Sequence, residues 1–213
     1  MDAAEPAGVQ TPDWAVAAIV EAGQRMDRRG WVPATAGNIS VRLNADRFAI
    51  TRSGGHKGHL DAARVVQVGI DGQALTPGRP SAETGLHAQL YRMLPQVGAV
   101  VHGHSVANTV LSLLPDGQGR GHIRFAGLEI LKAFEGHFTH DMSVDVPVFA
   151  NDQDMIRLAA AVDPYLAAGL PLGYLLAGHG CYIWGPDMPT ALARLEGLEF
   201  LLACELKMRK LTR

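Results

Sequence analysis

Apolar residues recur along this chain with two different spacings, which together predict alternating helices and strands. Leucines repeat every four residues over residues 81–94, which puts them on one face of a helix that Ser81 would cap. Similar patterns predict helices over residues 13–29, 106–114, 152–162 and 187–211, the third of them capped by Asn151 or Asp152. The helix over residues 13–29 would turn a set of apolar side chains inward: Trp14, Ala17, Ala18, Val20 and Met26.

Shorter apolar runs between turn residues have the length and composition of strands. They lie at residues 37–43, 47–51, 65–70, 97–105, 123–126 and 144–149, and in two pieces over 174–184 that fold back at residues 178–180. Strands with helices between and after them predict an α/β fold with helices around a central sheet. The 213 residues favour one domain over residues 12–213, after a flexible lead-in at residues 1–11 and with a Gly-rich loop at 115–121.

Composition excludes several classes of partner. The formal charge of −2 supplies no long-range field for nucleic acid or an anionic membrane, and the basic residues at 52–59 lack interleaved aromatics. Cys181 and Cys204 are too few for a disulfide framework, and no apolar run is long enough to span a membrane. The acidic N-terminus does not resemble a secretory signal. We therefore expect a cytoplasmic protein with neither nucleic-acid nor membrane partners.

Three histidines form a candidate metal site. His102 and His104 are two residues apart at the end of an apolar run, and in a strand such residues share a face. His179 stands between two glycines in a tight turn and is a candidate third ligand. Three imidazoles with an open fourth position are typical of catalytic zinc. The alternatives are hydrogen-bonded surface histidines, and Cys181 as a fourth ligand, although Cys181 is better interpreted as a core residue.

Three small-residue turns upstream of the histidines are candidate phosphate sites. They contain Gly37-Asn38, Ser53-Gly54 and Ser81-Ala82, and the last stands at the start of a predicted helix, where free amides favour an anion. The second turn leads into a local basic cluster that includes His56 and Lys57. Taken one by one, such small-residue motifs are more often ordinary turns that bind no anion.

Two carboxylates are candidates for proton transfer. Glu129 is flanked by apolar residues, so it is expected to be partly buried, with a pKa raised toward the range useful for acid–base catalysis. Its alternative is an exposed charge on an amphipathic segment. Glu83 stands in the first turn of the helix over residues 81–94, where a carboxylate also stabilises the helix dipole.

Taken in order, these motifs resemble those of the class II (zinc-dependent) aldolases and their adducin-like relatives over nearly the whole chain. The strings that carry the resemblance are AGNIS at 36–40, ITRSG at 50–54, PSAET at 80–84, HGHS at 102–105 and GHG at 178–180. Further strings resemble the methylthioribulose-1-phosphate dehydratases within that family: TRSGGHKG at 51–58, EILKA at 129–133, VPVFANDQD at 146–154 and LEGLEFLL at 195–202.

The resemblance implies a single-domain α/β/α sandwich with a mainly antiparallel central sheet. It also implies that His102, His104 and His179 bind one Zn²⁺ per subunit and that the three turns bind the substrate phosphate. Glu83 matches the acid–base residue of the sugar-phosphate aldolases and Glu129 that of the dehydratases. Some dehydratases carry a cysteine at the position of Glu83, so Glu129 is the preferred base. Many relatives have Thr where this chain has Gly103, a difference that should leave chelation unchanged.

The function that the resemblance implies is dehydration of 5-methylthioribulose 1-phosphate to 2,3-diketo-5-methylthiopentyl 1-phosphate in methionine salvage. A metal that polarises the ketone would acidify the proton on the neighbouring carbon. Relatives of this kind are homo-oligomers, usually tetramers, with active sites near subunit interfaces. The alternatives are a sugar-phosphate aldolase or epimerase of the fuculose or ribulose phosphate type, and a metal-free binding module.

Overall fold

The computed structural model describes residues 10–114, 120–134, 136, 138–169 and 173–212. Most of the predicted lead-in, residues 1–9, lies outside these residues, as do residues 115–119 of the predicted Gly-rich loop. The last two residues of that loop prediction, 120 and 121, belong to a strand instead.

Eight strands within the described residues form one sheet. They are β1 (Asn38–Arg42), β2 (Arg47–Thr51), β3 (Val65–Gly69), β4 (Ala99–Gly103), β5 (Arg120–Ala126), β6 (Ser143–Phe149), β7 (Tyr174–Leu176) and β8 (Gly180–Gly185). Their order across the sheet is β3-β2-β1-β4-β8-β7-β6-β5. Neighbouring strands are antiparallel except for β6 and β7, which are parallel. The predicted mainly antiparallel sheet is confirmed.

Helices cover both faces of the sheet. The described residues form α1 (Asp13–Arg28), α2 (Thr84–Met93), α3 (Val106–Leu113), α4 (Met155–Ala167) and α5 (Met188–Leu211). One buried apolar cluster joins α1, α3 and α5 to one face, and a second joins α2 and α4 to the other. The α/β class with flanking helices is therefore confirmed. Among the described helices, none combines the length and the apolar character needed to cross a bilayer.

The inward face of α1 differs from the predicted one. Trp14 is 56% exposed and Ala17 is also exposed, so their predicted burial is wrong. The buried residues are Ala15, Ile19, Ala22, Gly23 and Met26. Most of these are spaced three or four residues apart, so they form one stripe along the helix, and Trp14 falls outside this stripe.

Two predicted helix caps are also wrong. Ser81 does not cap α2, because the helix begins only at Thr84, with Glu83 at the cap position. Ser81 closes the turn before it: its Oγ accepts from the Glu83 amide at 3.4 Å, and its carbonyl accepts from the backbone and side chain of Thr84. For α4 the cap is Asp154, whose Oδ1 accepts from the second and third amides of the helix. Asp152 accepts from the Asp154 amide instead, which fixes the turn before the helix.

Candidate active site at a histidine triad

Strand pairing brings the three predicted metal ligands together. His102 lies in β4 opposite Tyr182 of β8, and the turn that leads into β8 carries His179. The ring centres of His102 and His104 are 4.4 Å apart, and that of His179 is 5.1 Å and 4.9 Å from them. One nitrogen from each ring lies within 4.8 Å of the others. The prediction that the three histidines converge is confirmed.

Hydrogen bonds orient two of these rings with Nε2 toward the centre. His102 Nδ1 is 2.9 Å from the carbonyl oxygen of Cys181, which can only accept, so Nδ1 carries the proton. His179 Nδ1 is likewise 3.1 Å from Asn151 Oδ1. The two Nε2 atoms then face Glu83, at 3.2 Å from His102 and 3.0 Å from His179. Among the described residues none hydrogen-bonds to His102 Nε2, which is fully buried.

This arrangement fits a bound divalent metal. An imidazole lone pair facing a carboxylate is unfavourable unless a cation lies between them, and metal-bound histidines usually donate their other N–H to an acceptor. Burial lowers the pKa of His102 to about 3 and that of His104 to about 4, so both are neutral, the form that binds a metal.

A cavity of about 450 Å³ adjoins the triad. Its lining includes all three predicted phosphate turns, at residues 35–38, 52–54 and 81–83. Gln153 and Met155, at the start of α4, complete the wall that lies beside His179. Turns that lie far apart in sequence therefore line one space, as a shared anion site requires.

Lys57 connects two of these turns. Its ammonium donates to the carbonyl of Thr35 at 2.8 Å and to that of Gly55 at 2.7 Å. Burial lowers the pKa of Lys57 to about 8, against the opposing effect of the Glu83 charge. A buried ammonium therefore lies in the wall of the cavity, with two of its three N–H groups bonded to these carbonyls.

His56 lies apart from this cavity. Its Nδ1 accepts from the amide of Gly58, and its Nε2 is 3.8 Å from Asp27 Oδ1. His56 is not among the described residues that line the cavity, so the structure gives its predicted role in substrate binding no geometric support.

Glu129 is not partly buried, and that expectation is wrong. Its side chain is 70% exposed in the short 3-10 helix Glu129–Ala133. A hydrogen bond from Lys132 lowers its pKa, and His140 is 3.9 Å away. The flanking apolar residues pack toward α5 while Glu129 faces outward. Among the described residues of one chain, the carboxylate at the triad is Glu83.

Comparison with known proteins identifies the family. Residues 17–206 match the family model described as Class II Aldolase and Adducin N-terminal domain. The chain belongs to this family.

Curated relatives cover almost the whole of this chain. A protein of Granulibacter bethesdensis is 60% identical over 205 residues, which are 95% of each chain, and is named methylthioribulose-1-phosphate dehydratase. A protein of Pseudomonas syringae pv. tomato with the same name is 52% identical over 193 residues, 90% of this chain and 93% of its own.

Solved structures of aldolases share the fold. L-fuculose-1-phosphate aldolase from Thermus thermophilus superposes with a TM-score of 0.72 at 26% identity, covering 92% of this chain and 95% of its own. Another L-fuculose 1-phosphate aldolase has a TM-score of 0.79 at 20% identity, covering 96% and 90%. Proteins named as L-fuculose 1-phosphate aldolases therefore have the same fold as this chain.

Sequence reasoning missed several side chains of this class II aldolase site. The Asn151-Asp152 pair suggested a helix cap, but Asn151 orients His179 and only Asp152 takes part in the turn before α4. Tyr182 stacks on His102 with ring centres 4.2 Å apart. Asn151 follows a buried strand by two residues, a position that could have marked it, whereas nothing local distinguishes Tyr182 from a core tyrosine.

A buried carboxyl group lies behind the triad, on the α5 face of the sheet. Glu199 is 5% exposed, and its Oε1 accepts from Asn108 Nδ2 at 3.0 Å. The same amide lies 3.4 Å from the carbonyl of Gly103, and Ser105 is a further hydrogen-bond partner of Glu199. Burial raises the pKa of Glu199 to about 7, although these hydrogen bonds favour the charged form. Cys181 lies 3.9 Å from Glu199 in the core, as the sequence favoured.

Glu199 should make the protein less stable as the pH rises. The folded state holds its proton up to about pH 7, whereas an unfolded Glu releases it near 4.5. The folded state binds more protons in this interval, so stability falls from pH 4.5 to pH 7 and stays lower above it. Between pH 5 and pH 8, the free energy of unfolding of Glu199→Gln should rise relative to that of the wild type by up to about 3 kcal/mol. Urea unfolding of both proteins at each pH tests this, because the titrations of all other groups cancel in the difference between the two. A difference that does not change with pH would contradict the prediction.

Proposed function

We propose that this chain is a zinc-dependent hydro-lyase that dehydrates 5-methylthioribulose 1-phosphate to 2,3-diketo-5-methylthiopentyl 1-phosphate, in methionine salvage. The observation that carries the proposal is the juxtaposition of the triad and Glu83 with three anion-suited turns and Lys57 around one cavity. The names of relatives at 50–60% identity support dehydration as the reaction.

The phosphate would occupy the end of the cavity that the three turns form. The residues we assign to it are Gly37, Asn38, Ser53, Gly54, Ser81, Ala82 and Lys57. Lys57 supplies the positive charge that a chain of net charge −2 does not supply as a whole, and its two carbonyl partners hold it in place. The sugar would then extend from these turns toward the triad.

His102, His104 and His179 would hold the zinc ion, with Glu83 beside them. Bound zinc supplies a Lewis acid that polarises the C2 ketone and so acidifies the proton on C3. The acceptors of the two Nδ1–H groups keep the ring orientations fixed while substrate enters.

Proton transfer would be the work of the carboxylates. One carboxylate takes the C3 proton, the C4 hydroxyl leaves as water with a proton, and the resulting enol tautomerises to the second ketone. We assign the C3 proton to Glu129, as the dehydratase resemblance implies. Glu129 is exposed and contacts Lys132 and His140 rather than the triad of its own chain, so this role would require it to reach the triad of a neighbouring subunit.

A homotetramer with sites near its interfaces is part of the proposal. Val106, Val110 and Leu113 form an exposed apolar row on α3, and Val106 and Val110 adjoin His104 and His179. Apolar surface continuous with a polar site favours coverage by a second copy of the chain. We place the working enzyme in the cytoplasm, where its free cysteines Cys181 and Cys204 would stay reduced.

Turnover of 5-methylthioribulose 1-phosphate by the zinc-loaded protein tests the function. We expect a product that has lost one water, detected by mass spectrometry. Chelation of the metal should abolish this activity, and added zinc should restore it. The position of Glu83 beside the triad favours a second candidate function, that of a sugar-phosphate aldolase. Cleavage of a ketose 1-phosphate to dihydroxyacetone phosphate, without loss of water from the first substrate, would establish that candidate instead.

A further inference from the structure

A line of buried polar side chains lies behind Glu83. It runs from Asn38 through His87 and Ser40 to Tyr91, on β1 and α2, and each of the four is at most 2% exposed. Polar groups buried in an apolar layer are costly unless they are hydrogen-bonded. The line therefore represents a specific arrangement that α2 maintains inside the core.

The hydrogen bonds of this line have one consistent direction. Glu83 Oε2 accepts from Asn38 Nδ2 at 2.6 Å. Asn38 then turns its Oδ1 to His87 Nε2, which must donate. Because His87 is neutral, its Nδ1 accepts from Ser40 Oγ at 2.7 Å. Ser40 in turn accepts from the Tyr91 hydroxyl at 2.8 Å.

The Asn38 amide could also lie in the opposite orientation. With its oxygen toward Glu83 it would place two acceptors against each other and push the carboxylate away from the triad. A proton on His87 Nε2 excludes that orientation, since such an N–H needs the amide oxygen on its own side. The buried line therefore controls which atom of Asn38 the carboxylate meets.

We propose that His87 is a positioning residue, which fixes the Asn38 amide so that Glu83 is held against the Nε2 atoms of His102 and His179. Its kinetic consequence rests on the proposed function, but its effects on the imidazole proton and on metal affinity do not. Substitution of a residue that supports the metal site without binding the metal itself typically changes metal affinity or activity by about 10- to 100-fold.

A matched pair of substitutions separates this role from packing. In His87→Gln the side-chain amide reaches the place of Nε2 and can donate to Asn38, whereas in His87→Asn the amide reaches only the place of Nδ1. We expect His87→Asn to lower kcat and zinc affinity by about 10- to 100-fold with KM within about threefold. His87→Gln should stay within about threefold of the wild type in each measurement.

A third variant controls for damage to the helix. Gln89 is buried on α2 but donates to the carbonyl of Ala159 on α4, outside this line. Gln89→Leu should lower Tm while kcat and zinc affinity stay at the wild-type level. Equal losses in His87→Gln and His87→Asn, or the same loss in Gln89→Leu, would overturn the proposal.

Two readouts are independent of the substrate. Zinc affinity is measured on the folded protein by competition with a chromogenic chelator, and long-range ¹H–¹⁵N NMR locates the imidazole proton of His87. We expect that proton on Nε2, and a proton on Nδ1 would overturn the proposal even if the kinetics agreed. If the wild type does not turn over the methylthio substrate, the proposed function fails while these two readouts still decide the role of His87.

Discussion

His104→Ala is expected to lower turnover about a thousandfold or more and to leave the purified protein with little zinc. His104 is only half-buried, whereas His102 is fully buried and stacked on Tyr182, so removing His104 spares the core. A Lewis acid supplies several kcal/mol of transition-state stabilisation, and about 4 kcal/mol corresponds to a thousandfold change. Zinc content by atomic emission, with turnover of the same sample, measures both effects.

His122→Ala is the matched control for this variant. His122 is a surface histidine, 56% exposed and 3.6 Å from Asp145, on β5 at the far edge of the sheet. Its loss should leave zinc content and turnover unchanged. A His104→Ala protein that kept stoichiometric zinc, or more than about a tenth of wild-type turnover, would contradict the assignment of His104 as a ligand.

Glu129→Gln is expected to abolish dehydration while zinc stays bound. Glutamine cannot accept the C3 proton, and removal of a general base typically costs about 10²- to 10⁴-fold. Zinc should be retained, because Glu129 contacts Lys132 and His140 rather than the triad of its own chain. Single-turnover assays of zinc-loaded protein, with product identified by mass, separate loss of chemistry from loss of metal.

Mixed oligomers test whether Glu129 acts on a neighbouring subunit. The variants His104→Ala and Glu129→Gln should each be inactive alone. If a site takes its histidines from one copy and Glu129 from another, coexpression in equal amounts restores about a quarter of wild-type turnover. No restoration would place both groups in the same chain. Full activity of Glu129→Gln, together with inactivity of Glu83→Gln, would instead assign the proton transfer to Glu83, as in the aldolase alternative.

Local patterns accounted for much of the site. The period of two along a strand was sufficient to put His102 and His104 on the same side, wherever that strand lay in the sheet. The small-residue turns could be read as anion sites for the same reason, since the free amides of a turn belong to the turn itself. Cap positions were less predictable. Asp152 and Asp154 are chemically equivalent in sequence, and only the path of the chain into α4 selected Asp154.

The elements, the residue types that can bind a metal and the turns that suit a phosphate follow from spacings within a few residues of the chain. Which of these features meet depends on how the strands and helices pack. With β4 between β1 and β8, Asn38 and His179 come to the same strand end as His102. The positions of the two carboxylates depend on packing in the same way. Packing of the neighbouring apolar residues against α5 leaves Glu129 exposed, and the groups around the triad hold Glu83 inside. Burial and long-range hydrogen bonds are properties of the assembled layers, so no local spacing encodes them.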